Sequence, residues 1–103
     1  MPEIGRFAMT IMENDDWDHV SFVISSRYRV ATLQRLANGP ATPSQVASDA
    51  DVRITHVSRA LQELRERDLV DLLVSDDRKK GRVYGLNETG REVWETIEAQ
   101  NMV

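Results

Sequence analysis

The chain has 103 residues, enough for one compact domain with a single core. With 41% apolar and 29% charged residues but only 5 Gly and 3 Pro, its composition is that of a helix-rich globular protein and excludes a disordered or fibrous chain. The absence of cysteine excludes disulfides, thiolate metal sites and cysteine redox sensing, and leaves His19 and His56 as the soft metal ligands, so no bound metal or cofactor is expected.

No apolar run approaches the roughly 18 residues of a membrane helix, and Met1-Pro2-Glu3 opens no basic, then hydrophobic, leader. These features predict a cytoplasmic protein with no membrane partner. The formal charge of −4 divides unevenly along the chain. Residues 1–24 carry one positive and five negative charges, residues 25–82 eleven and eight, and residues 83–103 one and four. A basic middle between acidic ends permits local phosphate binding despite the acidic total.

In chain order, Met1–Met12 show no clean period. Acidic residues then precede Trp17, Val20 and Ile24 at i, i+3, i+7, which predicts a short helix from near Asp15 with these three as its apolar edge. Ser25 or Ser26 caps a second helix whose stripe is Val30, Leu33, Leu36 and Ala37 and whose stop is Asn38-Gly39-Pro40. Thr42-Pro43 pairs a capping residue with proline at the first helical position and opens a two-turn helix that turns Val46, Ala47 and Ala50 inward.

Beyond the turn at Asp51-Val52-Arg53, Ile54, Val57, Leu61 and Leu64 form the stripe of an amphipathic helix running to about Arg67. Leu69–Val74 and Arg82–Leu86 read as two strands joined by a charged loop, and Thr89 is the expected cap of a last helix with Val93, Trp94 and Ile97 as its apolar edge. No repeat or linker is visible. The fold class expected is α+β and mostly helical, with a wing of two or three strands: an N-terminal segment with a short helix at 1–24, a winged helix-turn-helix at 25–87 and a C-terminal helix at 88–103.

Helix, short helix, tight turn, amphipathic helix, charged hairpin and helix is the order of a winged helix-turn-helix. Leu33–Gly39, Thr42-Pro43-Ser44-Gln45-Val46-Ala47, the run Val57-Ser58-Arg59-Ala60-Leu61 with Leu64, Asp68-Leu69-Val70, and Leu86 with Thr89-Gly90 carry a closer likeness. Together they resemble transcription regulators of the MarR/ArsR type, and residues 17–94, about three quarters of the chain, are similar to small archaeal regulators of this kind. The resemblance implies a recognition helix at 54–67 and a wing at 76–82. Two positions depart from it: Arg53 stands where a short polar cap is usual, with Thr55 expected to share the capping, and Asp68 stands where glycine is frequent. Aspartate tolerates the left-handed conformation better than most residues.

The residues themselves also suit DNA. Thr55, His56, Ser58, Arg59 and Gln62 lie opposite the core stripe, where short or forked polar side chains meet base edges in the major groove. Arg59 can pair with guanine, Gln62 with adenine, and Thr55 and Ser58 with phosphate or base. Arg78, Lys79, Lys80 and Arg82 at the hairpin suit phosphates or a narrow minor groove. Arg27, Arg29, Thr42, Ser44 and Gln45 are candidate backbone contacts.

Phe7, Met9, Ile11 and Met12 at one end and Val93, Trp94 and Ile97 at the other are candidate homodimer contacts, with Trp17 and Trp94 read as core or interface aromatics. No nucleophile elbow, phosphate loop or HExxH spacing is present, so no enzyme activity is expected. The expected function is sequence-specific binding of double-stranded DNA by a homodimeric repressor. The alternatives are a winged-helix adaptor that binds protein and, more weakly supported, a binder of structured RNA, for which exposed stacking aromatics are lacking.

Overall fold

The structure, a computed structural model, describes residues 14–74 and 81–101. Within them the chain forms α1 (Asn14–Ile24), α2 (Arg27–Ala37), α3 (Pro43–Ala50), α4 (Ile54–Glu66), β1 (Val70–Val74), β2 (Val83–Leu86) and α5 (Glu88–Ala99). The fold is a winged helix: three helices, α2 to α4, then an antiparallel hairpin and a closing helix.

Local chemistry explains most of the boundaries. Ser26 caps α2, its side chain accepting from the Arg29 amide. Thr42 and Gln45 form a reciprocal capping box at α3, with Pro43 in the first turn. At the end of α4, Asp68 takes the left-handed conformation (φ 61°) that glycine adopts most readily. The Leu69 amide reaches back to the Leu64 carbonyl at 3.0 Å and the Asp68 amide to that of Arg65 at 2.9 Å, a closed Schellman turn.

Two caps differ from expectation. The N-cap of α4 is Arg53, whose side chain makes no capping hydrogen bond, and among the described residues none from Thr55 replaces it. The cap of α5 is Asn87 rather than Thr89: its Oδ1 accepts from the Gly90 amide at 2.8 Å while its Nδ2 donates to the Asp68 carbonyl at 2.8 Å. One side chain thereby starts α5 and fastens it to the turn after α4. Gly90 is required there because a Cβ would overlap the Leu69 carbonyl oxygen.

In the hairpin Val70 pairs with Leu86, Asp71 with Gly85 and Leu72 with Tyr84, and an irregularity after Leu72 brings Val74 opposite Val83. The third strand of the wing is a single bridge, Ala41 exchanging two backbone hydrogen bonds with Tyr84 at 2.9 and 3.0 Å.

One core serves all elements. Val20 and Val23 of α1, Leu33 and Leu36 of α2, Val46 of α3, Val57, Leu61 and Leu64 of α4, and Val93, Trp94 and Ile97 of α5 are buried together with Leu69, Val70 and Tyr84. The inward edge of α1 is therefore Val20 and Val23; Trp17 and Ile24, expected there, are 40% and 39% exposed because the i, i+7 line they share lies on the outer side. Ile54, expected in the α4 stripe, is exposed as well. Thr32, absent from the expected core, is fully buried.

A further expectation is corrected at the C-terminus. Val93, Trp94 and Ile97, candidates for a dimer interface, are buried inside the monomer, since α5 lays this edge on α1 and α2. Phe7, Met9, Ile11 and Met12 lie outside the described residues.

Candidate nucleic-acid interface

Helix α4 is held by one face and open on the other. Val57, Ala60, Leu61 and Leu64 are buried, while Thr55, Ser58, Arg59, Gln62, Arg65 and Glu66 are exposed. Ser58, Gln62 and Arg65 follow one another at i, i+4 and i+7, so they form a single polar ridge. An open cleft of about 1070 Å³ runs along this ridge. Thr42, Pro43 and Ser44 at the start of α3 form one of its walls, and Gly81, Arg82 and Tyr84 at the root of the wing form another.

The structure thus brings Thr42, Ser44, Ser58, Gln62 and Arg82 around one cleft and leaves Thr55 and Arg59 exposed on the same helix beside it. Gln45 is exposed, but its Oε1 accepts the Thr42 amide at 2.9 Å as part of the capping box. Arg78, Lys79 and Lys80 lie outside the described residues. Sequence reasoning missed Arg65 and Ile54, which also line the cleft; the spacing of Arg65 from Ser58 and Gln62 was the available signal.

Three other candidates sit on the flank where α2 meets α4. The His56 ring is stacked on Tyr28, with centroids 4.1 Å apart and planes 10° from parallel, so its face is covered. Arg27 lies 5.1 Å from the Tyr28 ring centroid and donates to its hydroxyl at 3.2 Å. Tyr28, which nothing in the periodicity singles out, therefore joins the first turn of α2 to the first turn of α4.

Arg29 is not available for a phosphate, in contrast to the expectation. Its Nε donates to the Phe22 carbonyl at 2.7 Å, one terminal nitrogen to Ser25 Oγ at 2.7 Å and the other to Glu63 Oε1 at 2.8 Å. Its guanidinium also stacks 4.0 Å from the Phe22 ring centroid, and Arg67 lies 4.2 Å from the same centroid. Arg29 is thus a clamp that ties α1, α2 and α4 together, partly buried on its own side and less so on that of Glu63. Arg35 does similar work for α3, pairing with Asp49 at 2.7 Å and donating to the Gly39 carbonyl at 3.1 Å.

Charge is divided in space as it is in sequence. The exposed side chains of α5 include Glu88, Glu92, Glu95 and Glu98 beside a single cation, Arg91, while Arg65 and Arg82 line the cleft with one carboxylate, Glu66, and Arg59 is exposed beside it. Among the described residues no group of three or more His, Asp or Glu side chains is placed to hold a metal, and no helix is long and apolar enough to cross a membrane.

This architecture is that of winged-helix transcription regulators of the MarR and ArsR families. Residues 17–102 match the model of the HVO_A0261 N-terminal domain, and the chain belongs to that family. Among solved structures it is similar to NMB1585, a MarR family regulator from Neisseria meningitidis, at TM-score 0.67 and 19% identity over 97% of this chain and 70% of that one. The homodimeric winged helix-turn-helix DNA-binding domain of Mb0332 from Mycobacterium bovis, a possible ArsR-family regulator, is similar at TM-score 0.68 and 20% identity over 93% and 84%. MepR of S. aureus in its DNA complex is similar at TM-score 0.65 and 18% identity over 97% and 85%. The chain spans 53% of the length of ZitR from Lactococcus lactis, another structure of this fold. No curated protein sequence matches it.

The Arg29 clamp yields a stability prediction. Removing its charged hydrogen bonds by Arg29→Ala should cost about 2–3 kcal/mol of unfolding free energy, whereas Arg27→Ala, at an exposed position, should stay within about 0.5 kcal/mol. Urea denaturation of the two variants decides; equal, small effects would contradict the clamp.

Proposed function

We propose that the chain is a transcription regulator that binds duplex DNA in a sequence-specific manner, placing α4 in the major groove and the wing against the adjacent backbone or minor groove. The observation that carries the proposal is the one-sided burial of α4, which leaves Thr55, Ser58, Arg59 and Gln62 together on an open, cation-bordered face. One α-helix fills the major groove, and guanidinium, amide and hydroxyl groups are the side chains that read base edges there. In this reading Ser44 and Arg82 contact the sugar-phosphate backbone at the two walls of the cleft. Arg78, Lys79 and Lys80 extend that contact from the wing, Arg27 adds to it at the flank, and His56, stacked on Tyr28, positions the first turn of the helix. The likeness of the fold to MepR, solved in complex with DNA, supports DNA as the partner. The chain acts by occupying promoter DNA, as a repressor and without catalysis.

The test is binding to duplexes enriched from a random pool. Arg59→Ala or Gln62→Ala should weaken the preferred site by about 1–3 kcal/mol and relax base choice, while Lys79→Ala, Lys80→Ala and Arg82→Ala lower affinity for all sequences and reduce the salt slope. With about 6–10 phosphate contacts per dimer, affinity should fall by roughly 10³ to 10⁵ between about 50 and 200 mM salt. Failure to enrich any duplex would favour the protein-binding adaptor, and a flat salt response would remove the electrostatic basis of the proposal. Promoters carrying the enriched site should lose transcription in vitro when the protein is added; a gain would contradict repression.

The regulator works as a homodimer, which doubles a short reading surface and sets two copies of α4 about 34–36 Å apart, one helical turn of duplex. Mb0332, of the same fold, is homodimeric. With the apolar edge of α5 buried, the exposed apolar residues of α1, Trp17 and Ile24, are the interface candidates we favour among the described residues, and Phe7 and Ile11, outside them, stay candidates from the sequence. Sedimentation should show a dimer at micromolar concentration and a shift toward monomer for Trp17→Ala. A chain that stays monomeric refutes the dimer, and a dimer indifferent to Trp17→Ala moves its interface off α1.

A further inference from the structure

We infer that Ile54 reads the C5 methyl group of a thymine, an inference that rests on the duplex-DNA function proposed above and adds a specificity residue to it. Ile54 is the first residue of α4 and is 46% exposed, while Val57, Leu61 and Leu64, the other aliphatic residues of that helix, are buried. Its position explains the difference. At 3.6 residues per turn Ile54 lies about 70° round from the centre of the buried stripe, at the leading end of the helix.

Ile54 lines the same cleft as Pro43 and Ser44 on one side and Ser58 and Gln62 on its own helix. It therefore offers a branched aliphatic surface among hydroxyl and amide groups, with Arg65 and Arg82 on the rim. An occupant that is anionic where it meets Arg65 and Arg82 and apolar where it meets Ile54 suits this site. Duplex DNA meets both conditions, because the phosphates run along the groove edges and the thymine methyl is the apolar group that bases display in the major groove. Ser58 follows Ile54 one turn on, about 6 Å along the helix axis, so both side chains can act within one short run of base pairs. The acidic member of the cleft, Glu66, stands at the opposite end of α4 from Ile54.

Replacing thymine by uracil removes only the C5 methyl and keeps every hydrogen bond of the base pair. In an enriched duplex substituted one thymine at a time, the wild-type chain should lose affinity about fourfold at one position in each half-site, the loss corresponding to one buried methyl group. Ile54→Ala should bind the thymine and uracil duplexes equally at that position, while Ile54→Val retains most of the discrimination. Thermal unfolding of both variants should match that of the wild type, as expected for a half-exposed residue. If Ile54→Ala still distinguishes uracil from thymine as the wild type does, or if no thymine responds, Ile54 does not read a methyl group although DNA binding stands. If no duplex is enriched at all, the DNA-binding proposal fails and this inference falls with it.

Discussion

Burial of Val57, Ala60, Leu61 and Leu64 against α2 and α3 holds α4 by one face, and the remaining features of the molecule depend on that attachment. Fully burying a valine or leucine stabilises the fold by about 1.5–3 kcal/mol, so Val57, Leu61 and Leu64 anchor α4 far more strongly than its caps alone would hold it. The anchor is apolar and one-sided, and it leaves the other side of the helix without partners to satisfy. Short and forked polar side chains can occupy that side at no cost to folding, and Thr55, Ser58, Arg59 and Gln62 do so. The Arg29 and Glu63 pair, the Tyr28 and His56 stack and the Schellman turn at Asp68 then fix how the helix enters and leaves the core.

The same arrangement reconciles an acidic chain with a polyanionic partner. Glu88, Glu92, Glu95 and Glu98 are carried by α5, whose inner edge packs on α1 and α2, whereas the cations of the cleft are carried by α4 and the root of the wing. Phosphates meet the local field rather than the total charge of −4. Salt largely screens exposed charges separated by more than about 8 Å at physiological ionic strength, which limits the reach of the acidic field of α5.

Much of the fold was legible in the sequence because its signals were local. The Thr42-Pro43 cap, the Asn38-Gly39-Pro40 stop and the left-handed Asp68 follow from the chemistry of single turns, whereas the capping role of Gln45 did not stand out. What the sequence hid was tertiary. Periodicity placed Ile54 and Trp17 on apolar stripes, but among the described residues no element covers either, and residues at the leading end of a helix extend past the core. Trp94 and Ile97 looked surplus to a small core until α5 was seen to dock on α1 and α2. Arg29 carried the right charge for a phosphate, yet its partners lie at the end of α1, Phe22 and Ser25, and in the distant α4, Glu63. Asn87 displaced Thr89 as a cap because it alone also reaches the turn after α4.

The central claim is that the open face of α4, with the cleft beside it, is the surface that meets DNA. Amide chemical-shift mapping of the full chain during titration with an enriched duplex tests this most directly. The account predicts that the largest perturbations fall on Ser44, residues 54–62 and the wing, with α5 unaffected. Perturbations centred on α5 or on the outer side of α1, with residues 54–62 unchanged, would contradict it.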